Sequence, residues 1–203
     1  MTGKWDDTAW IGGAFGAALA VGLVVLAVLG RGIRGVTIAT ESVARVAFLF
    51  FWLAYAGGAL AQFFGARFAV LARRRRELGL AFAAALAVHL SFVAWLFHIS
   101  FFPPVPRYVV FYFGIGAVWA YGMALASLKR IRDLLGEVPW RIFITFGMEY
   151  IALLFFRDFV LLPHLPGLGH TLFYAPFEVL IVGGALLRWS AAIAKNASAA
   201  SDT

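Results

Sequence analysis

Six times in 203 residues the chain runs for about 20 residues or more in predominantly apolar sequence, the length a helix needs to cross a hydrocarbon core of about 30 Å. These runs are Trp10–Gly30, Val43–Phe64, Leu78–Phe102, Tyr108–Leu128, Trp140–Leu162 and Thr171–Trp189. In lipid every backbone polar group must be satisfied within the segment itself, so runs of this length are read as helices. The expected fold class is therefore all-α, a single-domain polytopic membrane bundle of six transmembrane helices. Hydrophobic residues make up 63% of the chain and charged residues 13%, half the share a soluble domain carries, and the short links leave no room for a soluble domain. The opening MTGKWDD is not basic, so the first run reads as a spanning helix rather than a cleaved signal peptide.

Charge placement gives the orientation. A net charge of +7 in a soluble chain would point to nucleic acid; here the cations cluster at the ends of apolar runs, the pattern of cytoplasmic loops. With both termini inside, Lys4, Arg67, Arg73, Arg74, Arg75, Arg76, Lys129, Arg130, Arg132, Arg141, Arg188 and Lys195 all lie on the cytoplasmic side. Only Arg31, Arg34, Arg45, Arg107 and Arg157 do not. Trp10, Trp140 and Trp189 then fall at the inner interface, where indole rings are favoured. The links FFPPVPR and LPHLPGLGH are too rich in Pro and Gly to continue a helix. The link RGIRGVTIATES lacks periodicity, and Thr40 or Ser42 is expected to cap the second span. Gly12 with Gly16, and Gly57 with Gly58, would let helices approach closely.

Ionisable side chains inside a bilayer are costly and mark either a structural pair or a functional site. The candidates are His89, His98, Glu149, Arg157, Asp158 and Glu178. His89 lies near mid-depth of the third span. His98 is about 13 Å further along and half a turn out of phase, so the two do not share a face. Arg157 and Glu178 flank one short link, which makes an ion pair between them plausible, with Asp158 turned elsewhere. Glu149 has no sequence-adjacent partner and is expected to be protonated and hydrogen-bonded across helices. His164 and His170 lie in one link without a third ligand, a weak metal site. There is no cysteine, which excludes disulfides and thiolate metal sites, and no nucleotide-loop, dinucleotide or hydrolase motif.

The stretch Arg75-Arg76-Glu77-Leu78-Gly79-Leu80-Ala81-Phe82, followed by His89, resembles the third helix of the ferric reductase-like transmembrane domain family. Within that family it is most similar to the haem-b membrane subunits of the bacterial periplasmic methionine sulfoxide reductase system. The resemblance covers spans two and three with their link, and the six-span count agrees with it. It implies a multi-pass protein of the bacterial inner membrane, with His89 a haem-iron ligand and Arg75 and Arg76 near haem propionates or anionic lipid. The fifth helix departs from the family pattern: its two histidine positions fall near Ile144 and at Arg157. The leading expectation is thus an accessory or assembly subunit of a membrane redox complex, not itself an enzyme, with no cofactor and a membrane-protein partner. The first alternative is an electron-transfer subunit with haem b on His89, or on His89 and His98, fed by a quinol or flavin. A small transporter using Glu149, Arg157, Asp158 and Glu178, or a pigment-associated subunit, are the others.

Overall fold

The computed structural model describes residues 3–102, 105–161 and 168–201. Helix α1 spans Gly3–Leu29, α2 Ile33–Phe64, α3 Ala69–Arg73, α4 Arg75–Ile99, α5 Arg107–Ala126, α6 Lys129–Leu135, α7 Glu137–Phe156 and α8 Leu168–Ser201. A 3₁₀ turn, Gly65–Phe68, joins α2 to α3, and a π-helical turn, Arg157–Leu161, follows α7. Five helical runs are long and apolar enough to cross a membrane among the described residues: Asp7–Leu29, Ile33–Arg73, Arg75–Ile99, Arg107–Ala126 and Phe173–Ser198. The protein is an all-helical integral membrane protein. The run expected over 140–162 appears as α7 and the π turn; it carries Arg141, Glu149, Arg157 and Asp158 and is not among the five.

Helix α2 is the axis. It packs most extensively on α4, α1 packs on both, and α8 lies along its other side. Its residues Val36, Ala39, Val43, Ala47, Phe48, Phe51, Ala54 and Tyr55 recur at helical spacing and are all buried. Helices α5 and α7 form a pair that reaches this core through large side chains. Phe48 meets Phe155 and Phe159 edge to face at 5.0 and 4.9 Å, and Phe51 meets Phe82 and Phe155 at 5.4 and 5.3 Å. Phe159 stacks on Phe177 of α8 at 5.3 Å. Each such ring pair adds about 0.5–1.5 kcal/mol beyond its area. In lipid, where the solvent itself is apolar, such packing and polar bonds are what hold helices together.

Helix α2 starts ten residues before the span read from hydropathy, because Ile33–Ser42 continues the helix rather than linking to it. The N-cap is Gly32, and the Thr40 and Ser42 hydroxyls do not cap; they donate back to the Val36 and Ile38 carbonyls at 2.7 and 2.8 Å. The corner before α2 depends on glycine: Gly30 has φ +80°, and a Cβ on Gly35 would collide with the Gly30 carbonyl. The expected close approach at Gly12 and Gly16 is absent, since a Cβ on either would meet nothing; that face of α1 is open. Gly57 does admit a neighbour, Leu71 of α3.

Two polar stations in one bundle

The first station forms where α2, α4, α7 and α8 come together. Glu149 of α7 accepts from the Arg188 Nε of α8 at 2.7 Å on Oε1 and from the Tyr55 hydroxyl of α2 at 2.8 Å on Oε2. Arg188 lies over the Tyr55 ring at 4.7 Å and donates from Nη1 to the Tyr55 carbonyl at 3.4 Å. Arg75, at the start of α4, donates from Nε to the Ala54 carbonyl at 3.1 Å. The cross-helix hydrogen bonding expected of Glu149 is present, and it includes an arginine that the sequence did not point to. Its arginine partner is 39 positions away on another helix, beyond the reach of sequence spacing. One flank stays open: the Glu149 side chain is 36% exposed, toward a groove lined by Arg141, Ile142, Thr145 and Phe146.

Arg75 and Arg76 both make contacts within the bundle. Arg75 is engaged with Ala54, and Arg76 forms a two-pronged ion pair with Asp7 of α1, at 2.9 and 3.1 Å. The same end of the bundle carries a groove of about 690 Å³ lined by Arg76, Ser127, Lys129, Arg132, Asp133, Gly136 and Glu137. Glu137 there holds both Arg132, at 2.8 Å, and Arg141, at 3.1 Å. The hydrogen bond from Arg132 is the main cause that holds the Glu137 carboxyl below its ordinary range.

The second station lies about 15 Å along α2 from the first, by the rise from Tyr55 to Arg45. Arg45 is 7% exposed; its guanidinium faces Phe173, Tyr174 and Phe177 of α8 at 4.0, 4.9 and 5.7 Å from their ring centres. Glu41, one turn earlier, places a carboxylate oxygen 3.7 Å from Nη2. Asp158, on the π turn, is close enough to interact with both Arg45 and Arg157. The ion pair expected between Arg157 and Glu178 does not form: Arg157 turns toward Tyr108 and Tyr112 of α5, at 5.8 and 5.7 Å, and Glu178 has no ion-pair partner among the described residues. Sequence reading missed Arg45 altogether, because hydropathy put it at a span boundary; its position two residues inside an apolar run was the available signal.

His89 on α4 is tied to α2 on the Arg45 side of the bundle. Its Nδ1 donates to the Thr40 carbonyl of α2 at 3.1 Å, leaving Nε2 as its other nitrogen. That arrangement orients many metal-bound histidines, but the rest of a haem site does not assemble around it. His98 is exposed on the far side of α4, α7 and the π turn contain no histidine, and no group of three metal-ligating side chains occurs among the described residues. The centre of the bundle, where a porphyrin bridging α4 and α7 would lie, is filled by Phe48, Phe51, Phe82 and Phe155. These residues do not fit a haem held between the third and fifth apolar segments. His164 and the side chain of His170 lie outside the described residues. No family model, curated protein or solved structure matches this chain.

Proposed function

We propose that this protein is a structural subunit of a larger membrane assembly, an accessory or assembly component rather than a carrier or a catalyst. The observation behind the reading is how the interior polar groups are used. At the first station Glu149, Tyr55 and Arg188 close on one another across three helices. Between that station and the second, interlocked phenylalanines occupy the core, so the two ionic clusters do not join into a polar path. A transporter needs such a path at its binding site, and a haem subunit needs ligands on facing helices. In this reading α7 and the π turn cross the bilayer as a sixth span, with Glu149 paired to Arg188 inside the bundle. The basic end, with Arg76, Lys129 and Arg132, faces the cytoplasm together with both termini. Lipid-facing α1 and α5 offer surface to a membrane-protein partner. The likeness to ferric reductase-like proteins would then reflect a shared scaffold without the haem.

The test is native electrophoresis of a tagged chain extracted from its own membranes in mild detergent. A discrete band well above the size of a 22.1 kDa chain, with defined companions, is the expected result. Migration as an isolated chain, combined with a reduced alpha band that disappears in His89→Ala, would replace this reading with the electron-transfer one.

A further inference from the structure

The Arg45 station is incomplete in a way the Glu149 station is not. A guanidinium deep in a bilayer is kept only with partners. Arg45 has rings against it and a hydrogen bond with the Tyr174 side chain, but its Nε and Nη1 are buried with no hydrogen-bond partner. Arg157 also keeps a buried Nη1 without one. The carboxylates do not make up the difference: Glu41 is 44% exposed and stands 3.7 Å from Nη2, and Asp158 lies between two guanidinium groups. One buried and one half-buried guanidinium therefore face Asp158 and the more exposed Glu41, with donor nitrogens unused. Such buried unpaired groups in a folded protein call for an explanation, commonly a bound ion or water.

We propose that this station, built from Arg45, Asp158, Arg157 and the rings of Phe173 and Phe177, binds one oxyanion head, a carboxylate or a phosphate. A cation would meet two guanidinium groups. Guanidinium is the group best matched to carboxylate and phosphate oxygens. The aromatic surround suits a head carried on a hydrocarbon chain, entering from the membrane; free phosphate or acetate offers the same chemistry from water. Asp158 is the built-in competitor for the same cations.

The experiment uses the full chain in phosphatidylcholine nanodiscs, with thermal unfolding followed by tryptophan fluorescence and bound species read by native mass spectrometry. The probes are oleate, phosphatidylglycerol, inorganic phosphate and acetate. An anion bound only by the folded state raises Tm in a saturable way. Wild type should show that rise, Arg45→Gln should lose it, and Asp158→Asn should reach half-saturation at a concentration roughly tenfold lower, the effect of removing one partly buried like charge. A response to oleate or phosphatidylglycerol alone assigns the head to a lipid; an equal response to phosphate or acetate assigns it to a soluble anion. If Arg45→Gln does not fold, the gain in Asp158→Asn still decides. No probe-dependent shift in either wild type or Asp158→Asn overturns the proposal and leaves Arg45 held by aromatic rings and carboxylates alone.

Discussion

The two stations are made of the same residue types and differ in closure. At the first, one carboxylate is claimed by an arginine and a tyrosine from two other helices, all at hydrogen-bond length. At the second, an arginine is enclosed by rings, its nearest carboxylate is at 3.7 Å, and donors are idle. The first therefore behaves as a rivet between α2, α7 and α8. The second is held in place by packing, on a π turn, an irregularity that recurs at functional sites. Charge buried in a membrane bundle is thus not one kind of evidence: a closed pair argues for architecture, an open one for a ligand.

The largest expected effect comes from opening the rivet. Arg188→Ala leaves Glu149 uncompensated and should cost about 2–4 kcal/mol, somewhat under the cost of breaking a fully buried pair because Glu149 keeps an open flank. Unfolding in mixed micelles, titrated with sodium dodecyl sulfate, measures this. An equal loss from Glu41→Ala, whose contact with Arg45 is long and exposed, would erase the distinction between the stations. Next is the seam of α2 and α8 that fixes the spacing between them. The Trp52 indole donates to the Leu180 carbonyl at 2.5 Å, and a Cβ on Gly184 would lie 2.6 Å from that indole nitrogen. Gly184→Ala should therefore cost about 1–3 kcal/mol as an overpacked contact, seen as a lower Tm. Gly183→Ala beside it, with nothing near its Cβ, should be close to neutral in the same assay.

The smallest effect lies outside the bundle, at Glu137. Its carboxyl is held below the ordinary range by Arg132, so the folded state binds a proton less readily than the unfolded chain. The associated stability is present above the unfolded pKa and fades as pH falls through the lower, folded one. Glu137 is fully exposed, so Glu137→Gln should shift the acid limb of a Tm–pH curve only slightly and leave neutral pH almost unchanged.

Much of the fold was legible because lipid restricts backbone choices so severely. Apolar length alone located α1, α4, α5 and α8, and Pro106 marked the start of α5. Hydropathy could not find the true start of α2, since Arg34 and the polar run from Thr37 to Ser42 lower the local average while the helix continues unbroken. The candidate site was legible as a set of residues but not as pairs. Glu149 and Asp158 stood out in the sequence as charges within an apolar run. Their partners, Arg188 and Arg45, come from helices whose adjacency depends on how the bundle closes, and spacing along the chain holds no record of that. Nearness in sequence suggested Arg157 with Glu178 instead, whereas Arg157 turns toward Tyr108 and Tyr112 of α5.

The most direct test of the structural reading replaces the rivet by an apolar pair, Glu149→Leu with Arg188→Leu, and asks whether the chain still enters its native-gel complex. A closed ion pair that only joins helices can be exchanged for packed hydrocarbon with little or no loss. The double variant should therefore run at the wild-type position while Arg188→Leu alone does not. A double variant that folds and enters the membrane normally, yet abolishes the complex or the activity that depends on it, would contradict this account. It would make Glu149 and Arg188 chemical participants rather than structural ones.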